Sequence, residues 1–76
     1  MVHAIVMVDA AAGRAEAVLD RVSDLSGVSE AHIVAGNFDL VVEIDGDEPH
    51  DLLRTVTEGI RSLADVGTTR TYVCLE

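Results

Sequence analysis

The stretch from Val28 to Asp45, VSEAHIVAGNFDLVVEID, constrains the fold more than any other part of the chain. It reads as two extended runs, Val28 to Ala35 and Asp39 to Asp45, joined at Gly36-Asn37, residues that tolerate positive φ and favour a tight reversal. Beyond Phe38-Asp39 a strict alternation begins: Leu40, Val42 and Ile44 point one way, Val41, Glu43 and Asp45 the other. Period two with β-branched residues on both sides of a turn predicts a hairpin. A helical pattern and a further strand flank it on each side, so the hairpin is the middle of the chain.

Ahead of it, Val2 to Val8 is apolar on both faces apart from His3, which predicts a central strand covered from both sides. Asp9 to Gly13 is a small-residue connection. From Arg14 to Leu25 the apolar residues Val18, Leu19, Val22 and Leu25 share one helix face, with Glu16, Asp20 and Asp24 opposite. Gly27 stands where a left-handed residue ends a helix. The first hairpin strand, with Glu30 and His32 on one side, has the polarity of an edge. After the hairpin, Asp47, Glu48 and Pro49 predict a helix start: an acidic cap, negative charge at the positive end of the dipole, and proline in the first turn. Leu52, Leu53, Val56, Ile60 and Leu63 form the expected apolar face of that helix, and Gly59 within it has no local explanation. Val66 to Leu75, rich in Thr and Val, reads as the last strand.

Strand, helix, strand, strand, helix, strand is the split βαβ, or ferredoxin-like, α+β pattern. Right-handed crossovers place the first strand beside the third, with the fourth and second outside. Both helices then cover one face of a four-stranded antiparallel sheet. The first strand is apolar on its other face too, and Val41 points to that side, so a second copy of the chain is expected to cover it. Dimerisation follows from the pattern.

The 76 residues suffice for one domain, 1–76, whose small core makes partnership with another copy more valuable. One cysteine, Cys74, excludes an internal disulfide. Fourteen acidic residues oppose five basic ones, all arginine, for a net charge of −9. The charge fits either an ordinary acidic protein without lysine or a halophilic one, whose dense carboxylates stay hydrated while salt screens their repulsion. It argues against direct nucleic-acid binding, which needs clustered Lys and Arg. No secretory leader and no apolar run of membrane-spanning length are visible, and a soluble, cytoplasmic protein is expected.

The hairpin AHIVAGNFDLVVEI resembles the signature of the Lrp/AsnC regulatory (RAM) domain, in which a Gly-Asp/Asn-Tyr/Phe-Asp turn follows an edge strand. The closing VGTTRTYVCLE is similar to that family's last strand, and the resemblance spans the chain. The helix-turn-helix of full-length members is missing from these residues. The resemblance implies a stand-alone ligand-binding domain with the ferredoxin-like fold. It further implies face-to-face dimers joining into rings such as an octamer, and amino-acid effectors bound between subunits. A role in transcription regulation would then run through co-assembly with a full-length Lrp-type regulator.

Gly36, Asn37, Phe38 and Asp39 make a candidate effector-binding turn: Gly36 permits close backbone approach, turn N–H groups can cradle a carboxylate, and Asp39 could offset a ligand ammonium. Thr69 and Thr71 offer hydroxyls from one face of the last strand. Each also has a purely structural reading: a hairpin turn, a local backbone cap at Asp39, and β-propensity at the threonines. His3, His32 and His50 share no metal-ligand spacing, so neither metal nor cofactor is expected. Cys74 reads as a small hydrophobe. Glu43 and Asp45 share a strand face, as an acid–base pair or, more simply, as a solvated rim. A small dimeric α+β barrel enzyme, isomerase or monooxygenase-like, is the alternative to a binding module. It calls for a His or acid with a partner inside one subunit, and the sequence offers no convincing pair, so a non-enzyme is expected.

Overall fold

The first strand, β1 (Val2–Ala10), alternates between side chains that are wholly buried and side chains that are half-covered. The computed structural model, which describes residues 1–76, continues with α1 (Ala15–Ser23), β2 (Val28–Ile33), β3 (Leu40–Gly46), α2 (beginning Pro49–Arg54) and β4 (Val66–Val73). The sheet has the order β2-β3-β1-β4 with every pair antiparallel, the arrangement expected from the sequence. Ala4, Val6 and Val8 of β1 stand opposite Ile44, Val42 and Leu40 of β3. Partners opposite one another share a face, and these six are fully buried beneath the helices. Val18 and Val22 of α1 and Leu52, Val56 and Ile60 of the second helical segment complete the core. Burying aliphatic side chains of this size contributes roughly 1.5–3 kcal/mol each.

The start of α2 follows its sequence closely. Glu48 caps it in a reciprocal capping box with Asp51, and Pro49 occupies the first turn. The regular helix ends at Arg54, passes into a wider π-helical turn over Thr55–Gly59, and closes with a tight 3₁₀ turn over Ile60–Ser62. Hydroxyls satisfy carbonyls along this irregular path: Thr55 Oγ1 donates to Asp51 O, Thr57 Oγ1 to Leu53 O, and Ser62 Oγ to Glu58 O and Gly59 O. One member of the expected apolar face departs from it. Leu53 is 63% exposed, because it follows Leu52 by about 100° of helix and turns off the core. Gly59 gains an explanation here: a Cβ on it would stand 3.3 Å from Leu25 Cδ1. The glycine lets Leu25, just past α1, pack closely against the second helical segment.

The hairpin connection is longer than the sequence suggests. Pairing of β2 with β3 ends at Ile33 opposite Leu40, and residues 34–39 form a loop closed by Val34 N–H donating to Asp39 O at 2.8 Å. Gly36 does not use positive φ, whereas Gly13 and Gly27 do, at 74° and 92°. The tight reversal at Gly36-Asn37 is therefore replaced by a wider loop. Its shape is set by Asp39, which is drawn away toward β1.

Candidate functional site

Asp39 is the anchor of that loop. Its N–H donates to Val8 O at 3.0 Å, and its Oδ2 accepts the Ala10 N–H at 2.8 Å. Both bonds fasten the loop to the end of β1, where the β1–β4 ladder carries a register shift between Val8 and Ala10. The Ala10 N–H is thus satisfied by a side chain rather than by the ladder. At the same end Ala11 N–H donates to Asp65 O, and Arg14 Nε meets Asp65 Oδ2 at 2.9 Å. Asp65 holds positive φ of 70° in the turn before β4.

Gly36 and Asn37 are exposed, while Phe38 and Asp39 are half-buried. Thr69 stands opposite Val8 and Thr71 opposite Val6, so both hydroxyls lie on the side of the sheet that carries the helices. The fold thus brings Asp39 and Thr69 to the same end of β1 and sets Thr71 two residues further along. A Cβ on Gly36 would meet nothing within 4 Å, so the backbone there is open to an approaching molecule.

The opposite sheet face has no helix on it. It carries His3, Ile5 and Met7 from β1, Val41, Glu43 and Asp45 from β3, and Arg70 and Tyr72 from β4, as the strand registers require. Ile5, Met7 and Val41 remain partly accessible in the single chain, and Tyr72 is 58% exposed. At one end of this face His3 lies between two carboxylates: Nδ1 is 2.5 Å from Asp45 Oδ1, and Nε2 is 3.0 Å from Glu43 Oε1. The bond to Asp45 raises the His3 pKa above its ordinary value, and the bond to Glu43 adds to this against partial burial. The same bond to His3 lowers the Asp45 pKa. Both bonds together require a protonated imidazole, because a neutral ring has one N–H.

Reading the sequence for pairs within one subunit missed this cluster. The antiparallel pairing of β1 with β3 was legible, but the register that sets His3 opposite Asp45 is a property of the folded sheet. The cluster is poorly arranged for acid–base catalysis. Each ring nitrogen already faces a carboxylate, which leaves none to exchange a proton with a substrate. A separate open cleft lies between the end of α1 and the second helix, bordered by Asp45, Asp47, Asp51, Arg54, Thr55 and Glu58 among others. No helix is long and apolar enough to cross a membrane.

A four-stranded antiparallel sheet with helices on one side and an uncovered, partly apolar face on the other defines a ferredoxin-like α+β domain. The sequence model of the Lrp/AsnC ligand binding domain matches residues 3–76, and the chain belongs to that family. An uncharacterized HTH-type transcriptional regulator of Pyrococcus abyssi is 30% identical over 59 residues, 78% of this chain and 39% of that protein. The chain thus spans about two fifths of the length of this curated relative. The crystal structure of TTHA0845 from Thermus thermophilus superposes with a TM-score of 0.95 at 30% identity, covering 100% of this chain and 95% of the other. A Neisseria meningitidis transcriptional regulator, NMB0573, solved as a complex with L-Met, shares the fold at a TM-score of 0.85 and 16% identity, over 99% of this chain and 50% of that one.

Proposed function

We propose that this chain is a homo-oligomeric regulatory module that binds an amino acid or similar small effector. The family match over residues 3–76 carries the reading. The relatives that match in sequence are transcriptional regulators, and one protein of the same fold is complexed with L-Met. Two copies associate through the sheet face that bears Ile5, Met7 and Val41, and such dimers join into a larger ring. The effector sits at a junction between copies. There the exposed backbone N–H groups of Gly36 and Asn37 cradle a carboxylate, and the Asp39 carboxylate offsets an ammonium. Thr69 and Thr71 supply hydroxyls. Regulation of transcription follows from co-assembly with a full-length Lrp-type regulator in the cytoplasm.

A thermal-shift screen of the twenty amino acids, run in high salt, tests the effector claim. A bound effector raises the melting temperature in proportion to the logarithm of its concentration once above Kd. No shift with any amino acid at millimolar levels overturns the sensor reading and leaves a purely architectural module.

A further inference from the structure

The uncovered sheet face combines an apolar centre with an ionisable cluster at its end. His3 sits two residues from Ile5 along β1, on the same face, with Asp45 Oδ1 at 2.5 Å and Glu43 Oε1 at 3.0 Å. We propose that the charge on His3 gates association of two copies across this face: the imidazolium permits the contact, and the neutral imidazole opens it. The inference rests on the reading of this face as the contact between copies and adds its control by pH.

Charge arithmetic favours this direction. With His3 charged, the cluster of His3, Glu43 and Asp45 carries a net −1 and both carboxylates are hydrogen-bonded. With His3 neutral it carries −2, and one carboxylate loses its donor. Covering the face removes water from the cluster, and desolvation penalises the doubly negative state far more heavily than the singly negative one. Association therefore takes up protons, and mass action makes it weaker as pH rises.

Few other groups can take over from the imidazolium. From β2, Glu30 stands opposite Glu43 and is itself 3.2 Å from His32 Nε2, so it adds negative charge. Just past β4, Cys74 donates its backbone N–H to His3 O, and Tyr72 of β4 lies opposite Ile5. Arg70, opposite Met7, is four residues along the strand from His3's row, roughly 13 Å away. Arg54 and the amino group of Met1 border the same cleft as Asp45, and neither forms an ion pair with it. His3 is the one cation in contact with this pair of acids.

Sedimentation equilibrium of the chain in roughly molar KCl, from about pH 6 to about pH 9, decides the matter, with circular dichroism confirming that it stays folded at each pH. The dimer dissociation constant should rise at least about tenfold across that range. His3→Gln should give a weak dimer that has lost most of the wild-type pH response, what remains coming from His32 on the same face. The double substitution Glu43→Gln with Asp45→Asn should give a dimer that persists at the alkaline end. A wild-type dissociation constant that does not change with pH overturns the gate and leaves the contact itself standing. So does a His3→Gln variant that keeps the wild-type pH response. A folded monomer at every pH, with or without the acids, overturns the contact as well.

Discussion

A Cβ on Gly27 would stand 2.8 Å from Thr55 Oγ1 and 3.5 Å from Asp45 O. This glycine, at φ 92°, lets the chain leaving α1 pass beneath α2 into β2. Gly27→Ala should destabilise the fold by about 2–4 kcal/mol, combining a left-handed alanine with a clash in a tight contact. Adding Thr55→Ala should recover the steric part and leave roughly 1–2 kcal/mol. Urea unfolding of the single and double variants measures both. A Gly27→Ala protein as stable as the wild type contradicts the contact.

The ion pair of His3 with Asp45 makes stability depend on pH at both ends. His3 has a raised folded pKa, so its contribution is full below its ordinary value of 6.5 and is lost as pH climbs through the higher folded value. Asp45 has a lowered folded pKa, so its contribution is present above its ordinary 3.8 and is lost as pH falls through the lower folded value. The difference in melting temperature between wild type and His3→Gln should therefore be widest between those ordinary values and shrink on the alkaline side. A difference that grows above neutral pH would show that the sign is wrong.

Val41 lies on the uncovered face between His32 of β2 and Met7 of β1. Val41→Asp should weaken association by on the order of 3 kcal/mol, about a hundredfold or more, since an unpaired charge must be buried to form the contact. Light scattering in molar salt at micromolar protein reads the mass directly. Wild-type chain found as a folded monomer removes the dimer reading.

Fourteen acids against five arginines make self-repulsion strong once salt is removed. At about 0.01 M ionic strength the screening length reaches roughly 30 Å, comparable with the molecule's 34 × 22 × 17 Å extents. Dialysis to low salt should cause loss of structure or assembly, restored by molar KCl. Circular dichroism and mass that stay constant over that range point to an ordinary acidic protein.

Asp39→Asn tests the effector loop. The amide oxygen can still accept the Ala10 N–H, so the fold should lose no more than about 1 kcal/mol. If Asp39 also meets a ligand ammonium, affinity should fall by about 1.5–3 kcal/mol, roughly ten- to a hundredfold. Calorimetric titration with an effector found by thermal shift gives the answer. Equal affinities reduce Asp39 to its role as an anchor for β1.

Whatever depends on local period and local chemistry was legible in the chain before it folded. Alternation at Leu40, Val42 and Ile44 declared the buried face of β3, because a strand's two faces are set by successive residues. The run Asp47, Glu48, Pro49 declared the start of α2, because capping involves neighbours only. Val41 and the doubly apolar β1 declared an uncovered face, because two helices can cover one side of such a sheet. The signature around Gly36 to Asp39 pointed to the family. Features that required two distant segments to meet were settled only in the folded molecule. The turn at Gly36-Asn37 opened into a wider loop because Asp39 bonds to β1, which local turn preference does not report. Leu53 turned outward and α2 widened at Thr55–Gly59 because the path of a helix end answers to what it packs on. Gly59 is explained by Leu25, far earlier in the chain. The meeting of His3 with Glu43 and Asp45 depends on the β1–β3 register. A shift of one residue would turn those side chains to the other face, and that register is held by nonlocal hydrogen bonds and core packing, which no periodicity along a single strand encodes.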